Sequence, residues 1–333
     1  MTLHSRLVRN LFHPLSLWRA GESRQLRYQA EFDRTQYLSA DELHNLQYRR
    51  LRKLLLHAYA CCPFYRKRFD AAGFHPSDLK SMADLRVLLP LEKVDIQRHL
   101  DDLIAQGWPK DDLIRNQTGG STGTPIVFYL SRDRKCSRAA ATIRHNRWAG
   151  YDVGDSAAVL WGAPRDRPED GWRSRLRGWA LAEPFWLDAG RLDEQQLHDF
   201  RRELLQRRPG ILQAYARAIV LFARWLDSRG LEVPRPRGII TSAEVLEDSD
   251  RAMIERVFGC RVFNRYGCRE VSVIASECEA HQGMHVMAEG LYVEIETPRG
   301  PAQPGEVGSV LITDLLNYAM PLIRYRIGDM AAL

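Results

Sequence analysis

The feature that most constrains this chain is an alternation through its middle of short apolar runs with longer amphipathic segments. Runs at 157–161, 210–214, 238–241 and 261–263 have strand length, and helical patterns at 133–149, 193–207, 216–228 and 249–257 lie between and around them. A strand that returns to the same sheet through a helix must run parallel to its predecessor, so the pattern predicts an α/β core. The flanks differ. Ser39 and Glu42 have capping-box spacing, followed by Leu43, Leu46, Leu51, Leu54 and Ala58 on one helical face over 39–60, and Pro63 closes the segment. The last third reads as strands at 284–288, 291–297 and 308–315, with turns at Pro298-Arg299-Gly300 and Pro304-Gly305. The expected organisation is a helical region over 1–105, an α/β core over 106–280 and a β-rich subdomain over 281–333.

The chemistry centres on Gln117-Thr118-Gly119-Gly120-Ser121-Thr122-Gly123-Thr124-Pro125, with three glycines and four hydroxyl side chains in nine residues. Glycine frees backbone N–H groups to converge on a ligand, and Ser and Thr hydroxyls add donors. The apolar run Ile126-Val127-Phe128-Tyr129-Leu130 follows at once, which distinguishes a tight anion-binding loop from a flexible linker. A Walker-type loop needs Gly-Lys-Ser/Thr before a helix, and a Rossmann loop needs a glycine opening a helix. Thr124-Pro125 and the strand behind it meet neither requirement.

With 333 residues, 45% hydrophobic and 27% charged, the chain is of the ordinary globular class. Its net charge of +6 comes from scattered arginines. The clusters Arg165-Asp166-Arg167 and Arg173-Ser174-Arg175-Leu176-Arg177 read as a solvated face, so no nucleic-acid partner is expected. No run approaches the ~18 apolar residues of a membrane span. Over residues 1–21, Leu3, Leu7, Leu11, Leu15 and Trp18 alternate with Arg6, Arg9 and Arg19, without the continuous apolar run of a signal peptide. That spacing predicts a short amphipathic helix that packs on the body or touches an anionic surface weakly; packing is the expectation. Six irregularly spaced cysteines suit a cytoplasmic protein.

Three further segments follow strands. Thr241-Ser242-Ala243-Glu244 offers small residues beside which a flat ligand can lie, or alternatively a cap for the next helix. Asn264-Arg265-Tyr266-Gly267-Cys268-Arg269-Glu270 offers an aromatic face, a glycine for close approach and a carboxylate able to hold Mg²⁺. Tyr325-Arg326-Ile327-Gly328-Asp329 offers a carboxylate after a glycine turn, able to accept from both hydroxyls of a ribose, beside an arginine. Each alone also reads as an ordinary core or surface segment.

In this order, Thr-Gly-Gly-Ser-Thr-Gly-Thr-Pro, Thr-Ser-Ala-Glu, Asn-x-Tyr-Gly-x-x-Glu and Tyr-Arg-x-Gly-Asp resemble the signature series of the adenylate-forming superfamily. The helical first third and Leu212-Gln213-Ala214-Tyr215 look most like its phenylacetate–CoA ligase branch, which includes relatives associated with polysaccharide biosynthesis. The resemblance spans residues 35–333 and implies the large N-terminal domain of that fold. It implies that Thr118, Gly119, Gly120, Ser121, Thr122, Gly123 and Thr124 surround the ATP phosphates, Thr122 and Glu270 acting in catalysis. Ser242, Ala243 and Glu244 would flank adenine, Tyr266 with Gly267 would stack on it, Glu270 would ligate Mg²⁺, and Asp329 would hold the ribose. Trp148, Tyr215 and Ala243 would line the pocket of a small carboxylic acid, which attacks the α-phosphorus to give acyl-AMP and pyrophosphate before transfer to CoA.

The sequence departs from the resemblance in two places. Thr124 stands where a lysine is usual. The family's small C-terminal domain follows Tyr-Arg-x-Gly-Asp and brings an adenylation lysine, whereas this sequence stops at Leu333. The expectation is therefore a fragment, or a naturally short chain with impaired turnover; a non-catalytic ATP or acyl-adenylate binding module and a phosphate-releasing NTPase are the alternatives. A homodimer is compatible with everything above. Cys278, His281 and His285 have a spacing that can chelate Zn²⁺, although a plain polar turn is the preferred reading.

Overall fold

The computed structural model describes residues 2–118, 125–161, 172–190 and 192–332. The chain forms two compact units, each discontinuous in sequence. One comprises Met1–Leu26, Ala141–Cys268 and Val273–His285; the other comprises Arg27–Ala140, Arg269–Ser272 and Val286–Leu333.

The first unit is built on a seven-stranded sheet of order β4-β3-β5-β6-β7-β8-β9. Its strands are β3 (Ala157–Trp161), β4 (Phe185–Asp188), β5 (Ile211–Tyr215), β6 (Gly238–Ser242), β7 (Arg261–Cys268), β8 (Ser272–Ser276) and β9 (His285–Val286). From β4 to β7 every pairing is parallel, as the strand–helix alternation requires. The returning helices include α9 (Trp172–Leu181), α10 (Glu194–Arg207), α11 (Ala216–Ser228) and α12 (Asp248–Phe258). Strand β6 is buried at all five positions, which is why its Gly-Ile-Ile-Thr-Ser run shows no polar alternation. Helix α11 lays Ile219, Phe222, Ala223 and Leu226 into the core beside Leu212, Ile239 and Val262 of the sheet. Local signals set the helix ends. The Asp193 side chain accepts from the Gln196 amide to cap α10, and Gly259 at φ +64° terminates α12.

The expected strands and helices of this core all form, with ends shifted by a residue or two except in β7. That strand runs on to Cys268, so Asn264 to Cys268 continue the strand rather than follow it. The N-terminal segment is helical as α1 (Leu3–Leu7), a wide π turn over Val8–Phe12 and α2 (His13–Arg19). Its leucine stripe is not the packed face: Ser5, Val8 and Leu17 are buried, whereas Leu3, Leu7, Leu11, Leu15 and Trp18 are exposed.

In the second unit lie α3 (Arg24–Thr35), α4 (Ala40–Cys61), α5 (Pro63–Ala71), α6 (Lys93–Arg98), α7 (Leu100–Leu103) and the start of α8 (Arg132–Trp148). The Ser39–Glu42 capping box forms, with Ser39 Oγ accepting from the Glu42 amide and Glu42 Oε2 accepting from the Ser39 amide. Pro63 ends α4 and also opens α5, where its missing N–H leaves no donor unsatisfied. Strands β1 (Ile114–Gln117) and β2 (Val127–Leu130) pair antiparallel, Gln117 opposite Val127. A four-stranded antiparallel sheet of order β11-β10-β12-β13 completes the unit. It comprises β10 (Leu291–Thr297), β11 (Gly300–Pro301), β12 (Val307–Asp314) and β13 (Tyr325–Ala332). Gly300 at φ +117° and Gly305 at φ +81° serve the two turns read from sequence. All six cysteines are free, and among the described residues no helix is long and apolar enough to cross a membrane.

Candidate functional site

In the first unit, the candidate residues gather at the carboxyl ends of parallel strands. Tyr215, Ser242 and Arg265 occupy one row across β5, β6 and β7 by register. Ser242 ends β6 and is buried, so it is not the cap of α12; Glu247 takes the capping position. Ala243 then turns the chain at φ +72°, a left-handed conformation that costs an alanine about 1 kcal/mol. This turn frees Glu244 to accept from the Arg217 amide at 2.8 Å, at the N-terminus of α11, where the helix dipole favours an anion. Glu244 is thus fixed between two strand ends. Tyr215 packs against Trp161, ring centroids 4.1 Å apart. Trp161 was not singled out in the sequence, although it ends β3, and the carboxyl-end rule for parallel sheets would have found it.

Trp148 ends α8 in the same unit. It packs against His285 and His145, with the Arg144 guanidinium 5.1 Å from its ring centroid. Its neighbour Ala149 presses its carbonyl on Gly238, the first residue of β6 and four residues from Ser242. One turn earlier, Asn146 Oδ1 accepts from Arg265 at 3.0 Å, so this end of α8 also reaches the level of the Tyr215–Ser242–Arg265 row. Beside Trp148, His145 is buried against Ser276, and burial with the neighbouring guanidiniums of Arg144 and Arg265 holds its pKa well below the usual imidazole value.

The three candidate zinc ligands do not converge. His285 Nε2 meets Cys278 Sγ at 3.2 Å, but His281 turns to Glu277 (3.5 Å) and Arg251 (3.4 Å). Among the described residues no three His, Cys, Asp or Glu side chains converge to hold a metal ion.

In the second unit, Thr118 closes the mouth of the glycine-rich loop. Its amide donates to Ile126 O (3.1 Å), and its Oγ1 accepts from Ile126 N (3.0 Å), which leaves the hydroxyl proton able to donate. Residues Gly119, Gly120, Ser121, Thr122, Gly123 and Thr124 lie outside the described residues, as do Arg165 to Arg167. Glu270 sits buried in the turn after β7, with Oε1 accepting from the Tyr325 hydroxyl at 2.9 Å. Two arginines of α8 hold the backbone on either side of it: Arg138 donates to Arg269 O (2.7 Å) and Arg134 to Val271 O (3.2 Å). Arg134 is itself locked to the fully buried Asp314 at 2.8 Å.

Asp329 is not on a turn. It lies in β13, where the pairing with β12 slips between Ser309–Met330 and Leu311–Arg326, so Ile327, Gly328 and Asp329 form a bulge. Gly328 adopts φ +100° there, and a Cβ on it would lie 3.8 Å from Lys93 Nζ. Bulges re-aim side chains, and Asp329 is exposed where the strand passes from buried Tyr325 and Ile327 to an exposed end. Segment 90–93 runs alongside, with Leu91 N to Arg324 O at 2.9 Å and Arg326 N to Leu91 O at 3.0 Å. That pairing delivers Lys93, which no local sequence signal marks. Arg326 does not serve as a spare cation, because Glu92 (2.9 Å) and Glu296 (3.7 Å) balance it. Arg324 is buried on Glu294 and Glu296 at 3.1 and 2.7 Å.

A parallel sheet with the candidate residues at its carboxyl ends and an antiparallel unit bearing the bulged strand are the parts of the adenylate-forming fold. A solved structure of 2-hydroxyisobutyryl-CoA ligase with 2-HIB-AMP and CoA matches 89% of this chain and 71% of its own, with TM-score 0.73 at 21% identity. The chain belongs to the phenylacetate–coenzyme A ligase family: it is 30% identical over 307 residues to the enzyme of Aromatoleum evansii, covering 89% of this chain and 67% of that protein. Similarity to the phenylacetate–coenzyme A ligase of Escherichia coli is 29% over 325 residues, 91% of this chain and 70% of that protein. No family model matches the sequence.

Proposed function

We propose that this protein carries out ATP-dependent carboxylate adenylation, the first half of an acyl-CoA ligase reaction with an aryl or acyl acid. A carboxylate oxygen attacks the α-phosphorus, the bond from that phosphorus to the bridging oxygen breaks, and pyrophosphate leaves as acyl-AMP forms. The chain's part is to position the reactants and to meet developing charge with fixed donors. The glycine-rich loop, anchored by Thr118, presents amides and the hydroxyls of Ser121, Thr122 and Thr124 to the leaving phosphates. Ser242, Ala243 and Glu244 border adenine and Tyr266 stacks on it, with Gly267 giving close approach. Asp329 accepts from the ribose hydroxyls, and Lys93 places a positive charge beside the same bulge. Tyr215, braced by Trp161, forms an aromatic wall for the acid beside Ala243.

Glu270 fits Mg²⁺: it is a carboxylate fixed through one oxygen, and this ion commonly takes one or two carboxylates and completes its shell with phosphate and water. When bound, the ion would offset phosphate charge. The acceptor proposed is CoA, and the six free cysteines are in keeping with a cytoplasmic setting.

The observation that carries this reading is the Tyr215–Ser242–Arg265 row with the strained Ala243 turn at one carboxyl edge. Pyrophosphate–ATP exchange across a panel of aryl and fatty acids tests it. Acid-dependent exchange is expected. ATP binding without exchange for any acid would replace the reading with a binding module, and release of inorganic phosphate would replace it with an NTPase.

A further inference from the structure

We propose that the helix over residues 2–20 is a docking face for an anionic lipid bilayer. The helix is held to the body of its unit by one side only. Gly154, at φ +88°, lets Ser5 approach so closely that a Cβ there would lie 2.6 Å from Ser5 O. Val8 and Leu17 are buried, and Arg9 is fixed by Asp152 at 3.1 Å, which Arg147 also grips at 3.0 Å. These anchors fix the rotation of the helix, so its other side cannot turn inward.

That outward side carries Leu3, Leu7, Leu11, Leu15 and Trp18, one residue per turn, with Leu3 75% and Trp18 70% exposed. Trp179 of α9, 65% exposed, extends the patch through its contact with His4, ring centroids 5.0 Å apart. An apolar ridge of this length normally packs against something. Arg6 and Arg19 are exposed on the same segment, and no acidic residue occurs between Thr2 and Gly21.

The charge selects the occupant. A second copy docked symmetrically would bring the arginines of two segments together, and over residues 2–21 neither segment carries an acid to meet them. An anionic bilayer accepts leucines below the headgroups, tryptophan rings at their level and arginines against lipid phosphates. The apolar ridge supplies insertion, and the arginines supply selection for negative lipid, screened by salt.

Co-sedimentation of the purified full chain with vesicles tests this. Binding is expected to equimolar phosphatidylcholine–phosphatidylglycerol at low salt, weakened by added salt, with little binding to phosphatidylcholine alone. Leu7→Ser with Leu11→Ser should reduce binding by ~10-fold or more while leaving the unfolding midpoint unchanged, since both side chains are exposed. Independently, Arg6→Gln with Arg19→Gln should abolish the preference for the anionic vesicles. Wild-type protein left in the supernatant, or variants that bind as wild type does, would overturn the proposal. So would sedimentation velocity showing a dimer that the leucine substitutions dissociate, which would make the occupant a second copy. Acid-dependent pyrophosphate exchange without lipid reports on the adenylation reading separately.

Discussion

The two units hold their candidate residues by different physics. At the carboxyl edge of the parallel sheet, backbone direction does the placing: strands run in register, and the chain leaves β5 and β6 at the same level while β7 runs on to Cys268. Small or aromatic side chains suffice there, and the cost appears as backbone strain at Ala243. In the antiparallel unit, buried charges do the placing. Arg134 and Arg138 grip the turn that carries Glu270, and Arg324 ties β13 to Glu294 and Glu296. Burial raises the Glu294 pKa, and Arg324 opposes that by pairing with the carboxylate. One region should therefore fail through lost ion pairs, the other through altered backbone geometry.

The comparison breaks most severely at Arg134. Replacing it with methionine leaves Asp314 buried without its partner, and urea unfolding should show a loss of about 3–5 kcal/mol. An unchanged midpoint would mean that charge does not hold this unit. Next in size, Asp329→Ala should weaken ATP binding by about 1–3 kcal/mol, read by titration calorimetry, if the bulge presents a ribose acceptor. Tyr325→Phe removes one buried hydroxyl from Glu270 and should cost about 1 kcal/mol of stability. Its sharper readout is kinetic: the Mg²⁺ concentration for half-maximal exchange should rise, whereas a purely structural tyrosine would leave it unaltered. The smallest effect belongs to the sheet edge. Ala243→Gly should relieve the left-handed turn and raise stability by up to about 1 kcal/mol, whereas Ala243→Val should lower it.

Much of the first unit was visible in the sequence because its signals are local. Strand length and helical period mark 157–161 and 216–228 without reference to distant residues, as the Ser39–Glu42 cap does in the second unit, and parallel pairing follows from the crossovers. The motif residues could be picked out, but their settings could not. Gly328-Asp329 reads as a turn because glycine usually marks one; the bulge exists only because β12 pairs on both sides of it. Trp148 reads as an aromatic on a helix, and only the folded chain sets it against His145 and His285. The leucine stripe over residues 3–18 has the period of a packed helix, and periodicity cannot tell which face meets the protein.

The sequence by itself determined most elements of the parallel core and their direction through the crossovers, because these rest on interactions within some tens of residues, and it carried the ordered motifs of the family. Tertiary structure alone decided that 27–140 and 286–333 fold together, that Lys93 reaches Gly328, and that Arg134 finds Asp314. It also decided that the apolar face of the first helix looks outward. Those outcomes depend on burial and on pairing between distant segments, where the cost of an unpaired charge or an unfilled surface is set by what lies opposite it.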